Sequence, residues 1–300
     1  MKNYIRIIRP FLLAGCLFVC SCQSMSFSQK NFENPFFAMD TGTDARNKTI
    51  AQQAEMLCEL GYDGYGYTDF ENLPEVLSEL DKNNLKLFTI YTELKPYDKQ
   101  PFNPKLKESL KMLDGKDTFI WFFIKSSQFK KSSPEGDGKA VTIIREIADI
   151  AKKYDVKIAL YPHTFFWMER TEDALRVARK VNRKNVGITF NLCHWLKVEG
   201  DKDPKAVLKS AMPHLFVVTI NGADKGAAGW DRLIQPLDKG SFDNYELLKN
   251  LKDLGYRGPI GLQGYGIKGN AHENLKRSIT AWKKLHRSRQ NSPKIIVPEK

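Results

Sequence analysis

Cysteine is scarce where a disulfide framework would need it. The 300-residue chain has five, and three of them, Cys16, Cys20 and Cys22, crowd into the first 22 residues. Only Cys58 and Cys193 remain, on a predicted helix and at a predicted strand end. That placement argues against a stapled scaffold even in an oxidising compartment. Long apolar runs are also missing, since the stretch from Phe11 to Val19 is too short to cross a bilayer. No Gly-rich phosphate fingerprint follows any strand-like segment, which argues against a dinucleotide enzyme.

What the first residues do have is the pattern of an export signal. Lys2, Arg6 and Arg9 precede the apolar run, and small residues follow it. Cys22 after Val19-Cys20-Ser21 resembles a lipobox and is the expected lipid acceptor. Cys16 after Leu13-Ala14-Gly15 is the alternative. The expected organisation is a signal at 1–21, a linker at 22–34, one domain at 35–287 and a polar tail at 288–300, with the protein an exported bacterial lipoprotein at the periplasmic face or outer membrane. Its formal charge of +12 falls to +9 once Lys2, Arg6 and Arg9 leave with the leader. The remaining Lys and Arg are interspersed with Asp and Glu along predicted helices, as on solvated faces. The run Lys283 to Arg289 is the densest, suited to an anionic membrane surface.

The body alternates strand-like and helix-like segments. Strands are expected at Phe36–Met39, Gly64–Tyr67, Lys86–Tyr91, Phe119–Ile124, Lys157–Leu160, Val186–Phe190, Phe216–Ile220 and Pro259–Leu262. Their apolar, β-branched character is that of buried parallel strands. Gly61 and Gly255 follow apolar-periodic helices and are expected to end them at positive φ. Ile143, Ile144, Ile147, Ile150 and Ala151 form one helical stripe, and Thr171, ahead of Glu172 and Asp173, marks another helix start. Strict alternation through eight strands predicts an α/β fold, a single (β/α)8 TIM barrel, and a core of this size suits one domain.

In such a barrel the residues just past each strand converge on one pocket. They are Asp40, Glu93, Lys125, Tyr161, His163, Asn191, His194, Asn221 and Gln263. Adjacent strands lie about 4.8 Å apart, so His163 and His194 can approach one ion together. Imidazole suits Zn, Mn, Co or Ni; equally, the two rings can serve only as hydrogen-bonding groups. Phe165, Phe166 and Trp167 follow the fifth strand, and Trp195 follows His194, where it is expected to offer a ring for stacking on a sugar. The segments Ser126–Gly138 and Gly222–Ser241 are candidate lids.

Four stretches carry a family resemblance: Leu60-Gly61-Tyr62-Asp63-Gly64, Leu160-Tyr161-Pro162-His163, Thr189-Phe190-Asn191-Leu192-Cys193-His194, and the closing Gly255-Tyr256-Arg257-Gly258-Pro259-Ile260-Gly261-Leu262-Gln263. Through them, residues 35–287 resemble the xylose-isomerase-like barrel superfamily of sugar phosphate isomerases/epimerases and family-2 AP endonucleases. The resemblance implies a divalent metal held by a Glu after strand five, an Asp or His around strands six and seven, and a Glu after strand eight. The matching residues here are Tyr161, Asn191 and Gln263, and the usual Glu near strand two is Gly66. Loss of those carboxylates removes the charge that a hard cation needs and the bases that shuttle a proton between sugar carbons.

Two readings follow. In the first, the chain is a sugar isomerase/epimerase-like enzyme, such as a keto-sugar lyase or epimerase. His163, His194, Lys125 and Glu93 carry the chemistry, and Asp40, Tyr161, Asn191, Trp195, Asn221 and Gln263 bind a small carbohydrate. One divalent metal on His163 and His194 is the cofactor to look for. In the second, it is a non-catalytic carbohydrate-binding lipoprotein on the same barrel. Nucleic acid is not an expected partner, because the endonuclease relatives need a metal cluster rich in His and carboxylates. The membrane is expected to be touched only through the lipid.

Overall fold

The structure, a computed structural model, describes residues 33–287. The expected signal, its Cys16 or Cys22 acceptor, most of the linker and the polar tail lie outside these residues.

Eight parallel strands run in chain order around a closed barrel. They are β1 (Phe36–Met39), β2 (Gly64–Thr68), β3 (Lys86–Leu94), β4 (Phe119–Ile124), β5 (Lys157–Leu160), β6 (Val186–Asn191), β7 (Leu215–Ile220) and β8 (Ile260–Leu262). The ring closes where β1 pairs with β8, Phe36 opposite Ile260 and Ala38 opposite Leu262. Between and after the strands lie α1 (Ile50–Leu60), α2 (Leu73–Lys82), α3 (Leu106–Met112), α4 (Asp137–Ala151), α5 (Thr171–Val181), α6 (Leu192–Glu199), α7 (Pro204–Ala211), α8 (Trp230–Leu233), α9 (Asn244–Asp253) and α10 (Ala271–Arg287). Every expected strand is present; β3 runs three residues further than its apolar run, through Thr92, Glu93 and Leu94.

Local chemistry explains the helix limits. Thr49 and Gln52 close a reciprocal capping box on α1, and Gly61 at φ 82° ends that helix by donating to the carbonyls of Leu57 and Cys58. Thr171 is the first residue of α5 rather than its cap. The Asp173 carboxylate accepts from the Arg170 amide at 3.1 Å, and Glu199 accepts from the Thr171 amide at 2.8 Å. Carboxylates thus supply the acceptors that the helix N-terminus requires. On α4, Ile144, Ile147 and Ala151 are buried while Ile143 and Ile150 are half-buried, so the stripe packs as its spacing requires.

Two apolar layers result. One lies between the strands and the helices; the other fills the barrel itself with Phe37, Met39, Phe88, Phe119, Trp121, Ala159, Tyr161 and Val217. So many rings fit only because facing strand positions are glycine. A Cβ at Gly66 would stand 2.7 Å from Thr89 Oγ1 and 3.0 Å from Phe37 Cε2. The place of a strand-two glutamate is therefore taken up by the ring of Phe37. At the seam, Trp282 of α10 stacks on Phe36 at 4.2 Å, which ties the last helix to the first strand. Cys58 is exposed and Cys193 buried, both as free thiols.

Overpacking at this point should be measurable. Gly66→Ala is expected to lower stability by about 1–3 kcal/mol in denaturant unfolding. Adding Thr89→Ala should recover part of that loss; an additive double variant would mean that the contact does not carry the strain.

Candidate functional site at the barrel mouth

The C-terminal ends of the strands open onto a cavity of about 840 Å³. Of the sequence candidates, Tyr161, His163, His194 and Gln263 line it. The loop after β5 and the first turn of α6 bring the two imidazoles to 4.0 Å between ring centroids. His163 is sandwiched, with Phe166 stacked on its other face at 4.1 Å and an interplanar angle of 14°. His194 meets Tyr161 and Trp230 edge-on, at 5.8 and 5.6 Å.

One residue between them sets the hydrogen bonding of both. His163 Nδ1 lies 2.8 Å from the Thr164 carbonyl oxygen. A carbonyl only accepts, so Nδ1 must carry the proton and Nε2 keeps a free lone pair. His194 Nδ1 lies 3.4 Å from the Thr164 amide nitrogen and 3.1 Å from its hydroxyl. An amide only donates, so this Nδ1 accepts and the proton sits on Nε2. Thr164, itself buried, thus fixes opposite tautomers on neighbouring rings. Burial holds both neutral: it drives the His163 pKa down to about 4, against the Thr164 contact and with help from Lys125. Burial and then the proximity of His163 hold that of His194 well below the usual imidazole range. The N-terminus of α6 beneath His194 also disfavours a cation there.

Below the histidines, neutral groups satisfy one another. Cys193 Sγ donates to Asn191 Oδ1 at 3.1 Å, and Asn191 Nδ2 donates to the Tyr161 hydroxyl. Beside them Gln263 Oε1 accepts from Thr41 at 3.1 Å and from the Tyr265 amide at 3.0 Å. Burial pushes the Tyr161 hydroxyl well above the usual phenol range and the Cys193 thiol up to about 12, so neither carries charge at neutral pH.

The remaining candidates lie elsewhere. Glu93 pairs with Lys125 at 2.7 Å and with Lys95 at 2.8 Å. Burial works to raise the Glu93 pKa, but the two lysines outweigh it and hold it below the ordinary value. Lys125 lies over the rings of Phe166 and Phe123 and faces a smaller neighbouring pocket with Ser126, Phe129 and Lys131. Asn191 is buried beneath Tyr161. Asn221 is buried at the end of β7, where its Nδ2 donates to the carbonyls of Gly222 and Leu233 at 2.8 and 2.7 Å. It therefore pins the Gly222–Ser241 segment, which does roof the cavity through Trp230, Asp231 and Gln235. Asp40 lies at a second opening beside the first. Trp195 does not reach the cavity. It is 4% exposed, packs on Phe190 at 5.8 Å and leaves its Nε1 without a partner. Because α6 starts directly at Leu192, Trp195 turns back onto the barrel wall, and the ring that faces His194 is Trp230.

The donor set does not fit the divalent ion that the fold family implies. Asn191 and Tyr161 bond to each other, Gln263 accepts from Thr41 and the Tyr265 amide, and the Thr164 amide donates to His194 Nδ1. Among the described residues, no group of three or more His, Cys, Asp or Glu is placed to hold a metal. Without an anionic ligand, a hard cation has nothing to offset its desolvation. In this arrangement the two imidazoles serve as hydrogen-bonding groups, His163 through Nδ1 to the Thr164 carbonyl and His194 through Nδ1 to the Thr164 amide and hydroxyl.

Known proteins share the architecture. The inosose isomerase of Bacillus licheniformis is 23% identical over 243 residues, covering 74% of this chain and 86% of that protein. Among solved structures, the IOLI protein with a bound zinc atom superposes with a TM-score of 0.68 at 19% identity, covering 84% of this chain and 97% of that one. The 3-keto-D-glucoside 4-epimerase YcjR of E. coli gives 0.64 at 16%, covering 84% and 99%. The family model described as a xylose isomerase-like TIM barrel matches residues 111–285, more than half of the chain. With the closed eight-stranded barrel and the histidine-bearing mouth in place, that match makes the chain a member of the xylose isomerase-like TIM barrel family.

Proposed function

We propose that this protein is an exported, lipid-anchored enzyme that moves a proton next to the carbonyl of a keto-sugar. The observation that carries the reading is the opposite hydrogen bonding of two adjacent imidazoles around Thr164, one Nδ1 against a carbonyl and the other against an amide. His163 Nε2 is a free base facing the cavity, and His194 Nε2–H is a donor beside it. In the step envisaged, His163 takes the proton from the carbon beside the ketone. The C–H electron pair forms the carbon–carbon double bond, and the carbonyl oxygen becomes an enolate oxygen that accepts from His194. Return of the proton to the neighbouring carbon, with transfer of the hydroxyl proton, gives the isomer. Departure of a β-oxygen substituent gives the elimination product instead. Trp230, Tyr91 and Phe165 supply flat apolar walls for a sugar ring. The similarity to the inosose isomerase and to the 3-keto-glucoside epimerase supports a keto-sugar over an aldose.

The second reading, a carbohydrate-binding lipoprotein without turnover, is favoured by one observation. A base whose pKa lies near 4 has little driving force for taking a carbon-bound proton.

Solvent-deuterium exchange into inosose and D-fructose, followed by proton NMR, separates the two. Exchange is expected in the wild type, and a loss of at least about a hundredfold in His163→Gln or His194→Gln. Sugar binding by calorimetry with no exchange would select the binding protein. Because His163 is neutral until the pH approaches about 4, the exchange rate should hold between neutral pH and that region and fall as acid protonates Nε2.

Elemental mass spectrometry and chelation test the neutral donor set directly. We expect far less than one metal ion per chain and an exchange rate unchanged by a chelator. One ion per chain, lost in both His163→Ala and His194→Ala, would overturn this part of the reading.

The anchor is checked by metabolic labelling with a lipid precursor. Label is expected in the wild type and in Cys16→Ala and absent in Cys22→Ala. An unlabelled wild type removes the anchor.

A further inference from the structure

The cavity over the histidines continues into a second compartment of about 850 Å³ between the β1–α1 and β8–α10 loops. Thr41, Thr68, Tyr265 and Asn274 line both. The two loops meet backbone to backbone, for a Cβ at Gly264 would stand 2.8 Å from Gly42 Cα. That contact holds the two loops that wall the second compartment together.

The floor of the second compartment holds Asp40, only 7% exposed. Its Oδ2 accepts from the Thr68 amide at 2.8 Å and its Oδ1 from the Thr68 hydroxyl at 2.9 Å. Among the described residues no cationic side chain pairs with it, and burial raises its pKa against the Thr68 and Thr41 hydrogen bonds. A buried carboxylate without a cation is costly unless its oxygens are fully hydrogen-bonded, and two ionised oxygens offer roughly four acceptor sites. Capacity therefore remains on the compartment side. A ligand hydroxyl supplies a donor for that capacity. An anionic ligand is repelled at this floor, although Arg46 and Lys48 stand at the rim. At the boundary Tyr265 is 64% exposed and lines both spaces, a flat face on which a sugar ring can lie.

We infer that this compartment binds a second sugar unit, so that the substrate of the histidine site is a keto-glycoside or ketose disaccharide rather than a free monosaccharide. Asp40 accepts a hydroxyl of the distal ring, and Tyr265 supports the linkage between the rings. The inference rests on the catalytic reading of the histidine site.

The test compares D-fructose with four ketose disaccharides, maltulose, lactulose, isomaltulose and turanose, on the full chain. Deuterium exchange gives kcat/KM, and calorimetry gives affinity independently of turnover. At least one disaccharide is expected to exceed D-fructose by about tenfold or more. Asp40→Asn keeps a partner for both Thr68 groups but loses the ionised acceptor, and should bring that ratio down about tenfold. Tyr265→Ser, at an exposed position, should lower the same ratio. A ratio near one for all four disaccharides, or a preference that survives both variants, overturns the inference while leaving the histidine chemistry standing. Exchange on none of the sugars, with a disaccharide bound more tightly than D-fructose and weakened in Asp40→Asn, overturns the chemistry and supports the compartment. Absence of binding by every disaccharide overturns the compartment outright.

Discussion

Electroneutrality is the constraint on which the barrel mouth depends. Where relatives of this fold are expected to gather carboxylates, this chain gathers a phenol, two amides and a thiol, and the partners of these neutral groups are themselves uncharged. Once that network is in place, a charged imidazole above it has no counter-ion, and desolvation keeps both His163 and His194 neutral. Neutral imidazoles differ from each other only in where the single proton sits. The hydrogen bonds of Thr164 therefore decide the chemistry of the site, a role that charge would fill in a metal-centred relative.

Much of the fold was legible because each level of the chain pointed the same way. Short apolar β-branched runs, glycine at the helix ends and a strict alternation of elements leave few architectures other than a closed parallel barrel. Strand limits held to within a residue or two, except where β3 continues through polar Thr92 and Glu93, whose neighbours on β4 extend the pairing beyond the apolar run. The site was legible in part. Tyr161 and Gln263 face the cavity from the residue that directly follows β5 and β8, while His163 and His194 reach it from the loop after β5 and the first turn of α6. Asn191 and Asn221 belong to the same end of the barrel but spend their hydrogen bonds on the scaffold.

What escaped the sequence depends on geometry beyond the strands. Trp195 looked like the mouth aromatic, yet a helix that begins at Leu192 carries it around to the wall. Trp230, the ring that does face His194, sits in a segment whose conformation is set by buried Asn221 rather than by any periodic signal. Thr164 was invisible as a functional residue because two of its three contacts to the imidazoles are made by its backbone, and a main-chain amide and carbonyl leave no trace in residue type. Glu93 and Lys125 pair with each other outside the histidine cavity, and Lys125 faces the neighbouring pocket.

The seam between β1 and β8 bears on the timing of folding. Phe36 finds Ile260 on one side and stacks on Trp282, so the first strand of the barrel is completed by residues from its far end in sequence. Until β8 arrives, β1 has one side without its ladder partner, an open edge on a chain whose other strands are already able to pair in order. Closure is thus a late and non-local event. Until the two strands meet, the rings packed inside the barrel face one unsealed seam, so the filled interior and the closed ring form together.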